Sequence, residues 1–186
     1  MRNKIILLVL LGLSLPIAAQ KNSKLISWSE SRSLNSKDFK ARPNKASSYA
    51  ALTASGISCN ISYDGEILSV ETTTTFSPKE SWIKDKDDQA LLAHEQFHFN
   101  ITELYAREFR KKILNSQFKS RGKRLMKEVT AIYNSTIKEL DKYQKQYDNE
   151  TDHSINKEAQ LKWEKKVRER LDSLKDYAKP KLFIKL

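Results

Sequence analysis

From Asp87 to Tyr177, apolar residues recur at three- and four-residue steps, and this periodicity limits the possible folds more than any other feature of the chain. Leu91, His94, Phe97, His98, Ile101, Leu104, Tyr105, Phe109 and Ile113 fall on one face of a long helix. A second helix is expected from about Lys123 to Tyr147, with Met126, Val129, Tyr133, Ile137, Leu140, Tyr143 and Tyr147 as its stripe. A third runs from about Ile155 to Tyr177 through Ala159, Trp163, Val167, Leu171 and Leu174. Gly122 separates the first pair, and the polar stretch Asp148 to Ser154 separates the second pair. The plain reading of such stripes is helix packing.

Upstream the period changes. Tyr49 to Ile61 and Ile67 to Phe76 read as strands, the second rich in β-branched residues from Thr72 to Thr75. Asp64-Gly65 between them is a hairpin signal, because Gly accepts the positive φ that a tight turn needs. Asn35 to Ser48 reads as a polar loop around Pro43. The expected fold is therefore α+β: a small antiparallel β unit followed by three long helices.

The first residues are not expected to belong to that fold. Arg2 and Lys4 precede an apolar run from Ile5 to Leu15, followed by Pro16 and the small residues Ala18 and Ala19. Charged, apolar, then small is the layout of a secretory signal peptide, and the run is too short for a membrane span. We expect residues 1–19 to be a signal peptide and 20–186 to form one exported domain, periplasmic or secreted. Residues 20–83 would be its β-rich part and 84–186 its helical part. The formal charge of +11 does not point to nucleic acid, because the basic residues alternate with Asp and Glu along helical faces, as at Lys138-Glu139 and Asp141-Lys142. No stable membrane insertion is expected after cleavage. Cys59, the only cysteine, alternates with Ile57 and Ile61 on one strand face and reads as a buried small residue.

Two of the three histidines stand four apart around a glutamate, in His94-Glu95-Gln96-Phe97-His98. On a helix, residues i and i+4 share a face, so both imidazoles can reach one ion at about 2.0–2.1 Å. Glu95 projects beside them, where it can take a proton from an activated water. Zinc needs a third protein ligand if one coordination position is to stay open. Glu103 lies half a turn off the histidine face. His153 sits at the break between the second and third helices, which an antiparallel pair returns toward His94. His153 is the expected third ligand, with Glu150 the alternative. Asp148, Glu150 and Asp152 are placed to orient its ring. Tyr147 is a candidate donor to the oxyanion of a tetrahedral intermediate, and equally a packing residue of the second helix.

The block Ala93-His94-Glu95-Gln96-Phe97-His98-Phe99 with Ala106-Arg107, the later Tyr147, Asp148, Glu150, Thr151 and His153, then Gln160 and Trp163, resembles a bacterial family of secreted zinc-dependent proteases catalogued as a domain of unknown function. Trp28, Ser29, Asp38, Phe39 and the 53–56 region are also similar. The resemblance implies a zinc peptidase with a zincin-like active-site helix. Where the family has Gly after the late His, this chain has Ser154. The reading is a zinc-dependent hydrolase acting on peptide or protein, in which Glu95 is the base and the strand Ile67 to Phe76 offers an edge to extended substrate. Two rivals share its features: an exported module with structural zinc, and a helical partner-binding protein with a vestigial site. For the signal segment the expected outcome is a mature N-terminus at Gln20 or Lys21, checked by intact mass of protein from the native host; a chain still beginning at Met1 would contradict it.

Overall fold

The computed structural model describes residues 24–186; the expected signal segment and its cleavage point lie outside them. The architecture is α+β, as expected. Strands β1 (Ile26–Ser27), β2 (Ala51–Leu52), β3 (Ser55–Tyr63), β4 (Ile67–Phe76) and β5 (Trp82–Ile83) precede helices α1 (Gln89–Asn115), α2 (Gly122–Thr151) and α3 (Lys157–Ser173), and β6 (Lys181–Lys185) follows them.

The β3–β4 hairpin pairs in register from Ser55 opposite Phe76 to Tyr63 opposite Leu68. Its turn is built as expected: Gly65 has φ +106°, and Asp64 Oδ1 accepts the amides of Glu66 and Ile67 at 3.0 and 2.8 Å. Ile57, Cys59 and Ile61 are buried on one face, with Ser58 and Asn60 exposed on the other. Burial in that apolar face pushes the Cys59 thiol up to about 12, which leaves it a packing residue at neutral pH.

Three expectations change. The strand expected to start at Tyr49 is broken at Thr53. Its first part becomes β2, which pairs with β5 instead of β4, while Ala54 turns its amide to Ser81 Oγ. The chain also ends in a strand: Lys181–Lys185 pairs with Ile67–Glu71. And Ile67 to Phe76 is not an edge strand. β3 lies along one side of it, and β6 and β1 share the other. Between those two, Thr72 donates its amide to Pro180 O and Thr74 O accepts from the Trp28 amide. No edge is left on β4 for a substrate.

α1 lies across this sheet and contacts α2 and α3 as well. Asp88 caps it, accepting the Leu91 amide at 2.9 Å. Ile101, Leu104, Phe109 and Ile113 are fully buried in the core between sheet and helices, joined by Val129 of α2 and Val167 of α3. A second, smaller core of Leu34, Phe39, Phe76, Ile83, Leu91 and Phe99 anchors the loop-rich N-terminal part to the other end of α1. Trp28 is fixed there by Asn100 Oδ1 at 2.9 Å and lies under the Arg107 guanidinium.

α2 outruns its expected end at Tyr147 by a full turn, so Asp148 and Glu150 are helical. Beyond Thr151 the chain turns through three consecutive left-handed residues, Asp152, His153 and Ser154, with φ of 47°, 51° and 84°. Asn156 caps α3 by accepting the Ala159 amide at 3.1 Å. A left-handed conformation strains a residue with a Cβ by on the order of 1 kcal/mol or more. Ser154→Gly should therefore raise Tm by about 2–4 °C, measured by thermal unfolding. An unchanged or lower Tm would show that the turn carries no strain at this position.

Candidate metal centre

His94 and His98 project from one face of α1, and Asp148 meets them from α2, one turn before that helix ends. The three ligand atoms form a tight triangle. His94 Nε2 is 3.2 Å from His98 Nε2, and Asp148 Oδ1 is 3.2 Å from the first and 2.8 Å from the second. A tetrahedral ion with bonds of about 2.0–2.1 Å spaces its ligand atoms roughly 3.3 Å apart. Among the described residues, this is the group of His, Cys, Asp and Glu donors that can hold a metal ion. His94 is buried, and the other two are half-buried, so part of the group is open to solvent.

The three side chains also interact electrostatically with one another. Burial alone would raise the Asp148 carboxyl, but the bonds to the His94 and His98 rings hold it well below the usual carboxylate range. For His98, burial acts to lower the pKa. The Asp148 bond and the Glu95 and Asp148 charges outweigh it and raise the ring above the ordinary imidazole value. A metal ion must displace that proton, so affinity should fall as pH drops through the raised value.

Glu95 is 4% exposed, and its Oε2 is buried with no hydrogen-bond partner among the described residues. Its backbone carbonyl accepts from the Thr53 hydroxyl at 3.3 Å, which fastens the β2 segment alongside the motif. An orphaned buried carboxylate oxygen costs about 1–3 kcal/mol or more unless something polar meets it.

His153 does not join the donor group. The physical reason is the extra turn of α2. It brings Asp148 onto the inward face and leaves His153 in the left-handed turn, with its side chain 44% exposed. Its Nδ1 stands 3.7 Å from Asp148 Oδ1, too far for a hydrogen bond, and its ring meets Tyr49 edge-on. Asp148, read from sequence as a residue that orients His153, is the third member of the donor group with His94 and His98. Glu150 points elsewhere, accepting from Trp163 Nε1 at 2.7 Å and from Gln146.

Tyr147 is fully buried and stacks on His94 with ring centroids 4.5 Å apart. Its one proton is shared between Gln160 Oε1 at 2.9 Å and the His94 carbonyl at 3.2 Å. Burial pushes its hydroxyl above the ordinary phenol value. The residue is a wall behind His94 with no proton left for an oxyanion. Glu103 is on the far side of α1, as its helical angle implies, but it is not at the surface. Arg107 and Arg110 both donate to it, at 3.0 and 2.8 Å, and Thr74 donates at 2.7 Å.

The site is thus a His–His–carboxylate triangle between α1 and α2, with the unpartnered Glu95 next to His94 on α1, set in an α+β scaffold. Residues 30–154 match the family described as "Bacterial protein of unknown function (DUF922)", and the chain belongs to that family. The matched span contains His94, Glu95, His98 and Asp148 and ends in the left-handed turn. No curated protein and no solved structure matches the chain.

His94→Ala, His98→Ala and Asp148→Ala should each weaken binding of a divalent ion by more than the roughly 10–100-fold typical of losing an outer partner. His153→Ala should leave it within a few-fold of wild type. Chelator competition and elemental analysis measure both. Metal loss in His153→Ala equal to that in His98→Ala would return His153 to the ligand set.

Proposed function

We propose that the protein is an exported zinc-dependent hydrolase that cleaves peptide bonds, with zinc held by His94, His98 and Asp148 and with Glu95 as general base. The observation that carries this reading is the buried, unpartnered Oε2 of Glu95 beside the triangle. A purely structural ion gives such a carboxylate nothing to do, and its desolvation is a standing cost. A carboxylate waiting for a water's proton has a partner only during turnover.

Zinc bound at this triangle supplies a Lewis acid that polarises a carbonyl and acidifies a water. The protein does the rest. Glu95 takes a proton from the attacking water and passes it to the leaving nitrogen. Tyr147, stacked on His94, holds that ring from behind.

Extended substrate cannot pair with β4. The strand suited to receive it is β2, which among the described residues pairs only with β5 and is tied to the motif through Thr53. Leu52 is 46% exposed there and offers apolar contact to a substrate side chain.

Glu95→Gln keeps the shape of the side chain and removes the base. It should retain metal and lower hydrolysis of a quenched fluorescent protein substrate by about 10²–10⁴-fold. Turnover equal to wild type would exclude Glu95 as the base. An inactive but fully metal-loaded wild type, tested across peptide and ester substrates, would remove the hydrolase reading.

A further inference from the structure

We infer that Gln144 and Gln160 are positioning residues that decide which ring nitrogen each histidine offers to the metal. The inference rests on the metal reading above and extends it to two residues outside the triangle, contributed by two different helices.

An amide side chain has an accepting end and a donating end, and the surroundings tell them apart. Gln144 on α2 lies one turn before Asp148. One end of its amide stands 2.9 Å from the His98 carbonyl oxygen and 3.3 Å from Thr102 Oγ1. The carbonyl can only accept. The Thr102 hydroxyl is 3.0 Å from that same carbonyl and 2.7 Å from Ser55 Oγ, either of which can take its proton, so it too is free to accept from Gln144. That end of Gln144 must be the NH2 group. The other end, Oε1, then faces His98 Nδ1 at 2.6 Å. An oxygen that only accepts requires a proton on Nδ1. In the neutral ring Nε2 is then the bare nitrogen, and Nε2 is the atom in the triangle.

Gln160, in the first turn of α3, repeats the arrangement on His94. Its NH2 group donates to the carboxylate oxygen Glu164 Oε1 at 3.2 Å. Its Oε1 therefore receives the Tyr147 hydroxyl and His94 Nδ1, at 2.9 and 3.1 Å. Gln160 is 8% exposed, so water cannot readily replace it as the acceptor. Both rings are thus locked as Nδ1–H donors and turn Nε2 toward Asp148.

The choice of amide over carboxylate has a chemical meaning. A carboxylate behind each ring would add two negative charges next to Asp148 and Glu95. A glutamine orients the ring at no charge, so Asp148 remains the single anionic ligand and a bound dication keeps more of its Lewis acidity.

The test uses the full mature chain with zinc as the probe. Gln144→Met and Gln160→Met keep the volume and remove the acceptor; Gln144→Glu restores an acceptor toward Nδ1. Zinc affinity is measured by chelator competition, and histidine 15N spectra of the zinc-loaded protein show which nitrogen is coordinated. Thermal unfolding of the zinc-free proteins reports folding separately. The expected result is Nε2 coordination with protected Nδ1–H protons in wild type. Each Met variant should bind zinc about 10–100-fold more weakly and lose the matching Nδ1–H signal, with part of the affinity returning in Gln144→Glu. If wild type and both Met variants bind zinc equally through Nε2, the positioning role is overturned while the metal site stands. If wild type takes up no zinc, the metal site itself is overturned, and the positioning role with it. If a Met variant fails to fold, the Glu variant at the same position, Gln144→Glu or Gln160→Glu, carries the test: it must keep the matching Nδ1–H signal, and its loss overturns the role of that residue.

Discussion

Burying most of α1 between the sheet and the other two helices obliges its buried polar side chains to find partners on other elements. Much of the structure follows from that obligation. Glu103, Arg107 and Arg110 are all buried, and an uncompensated charge at any of them would cost about 3–5 kcal/mol. Thr74 and Thr72 of β4 reach in to meet Glu103 and Arg110. The Leu171 carbonyl accepts from Arg107, and the Tyr177 carbonyl accepts from Arg110. These contacts tie the sheet and the end of α3 to one helix. At the other end of α1, His94 and His98 draw Asp148 and Gln144 from α2 and Gln160 from α3 in the same way. The helices are placed as much by this polar accounting as by their apolar stripes. Glu95 Oε2 is the one member of the set on α1 left without a hydrogen-bond partner among the described residues.

Where one physical signal dominated, the sequence was readable. The 3.6-residue stripes located all three helices, and Asp64-Gly65 located the hairpin, because an apolar face and a positive φ are local demands. The His94-Glu95-His98 arrangement was also legible, since i and i+4 on a helix must share a face. Glu103 was rightly placed away from that face, although the sequence could not show that two arginines would bury it.

What escaped depended on partners distant in sequence. Asp148 looked like a loop residue because the stripe of α2 seemed to stop at Tyr147. Thr151, fully buried, continues that stripe in a residue type that does not read as core. Gln144, Asp148 and Gln160 look like surface residues in any periodicity argument. A signal did exist: Gln144 and Asp148 stand four apart beside Leu140 and Tyr147, on or near the inward face. Polar residues on an apolar stripe invite the question of what they meet. The strand Lys181–Lys185 was missed for a related reason. Five residues beyond a helix carry too little pattern to be separated from a frayed end, and only β4 makes them a strand.

That last strand has a consequence for how the molecule comes into being. Thr72 and Pro180, 108 residues apart, are hydrogen-bonded, and the central strand of the sheet gains half of one flank only when this distant segment arrives. Closing so long a loop is entropically slow compared with winding the helices. Until then, β4 presents bare amides and carbonyls along Ile67–Glu71, the kind of row that captures other chains. A nascent molecule that has made all three helices is therefore still sticky, and it becomes safe only on docking its final strand.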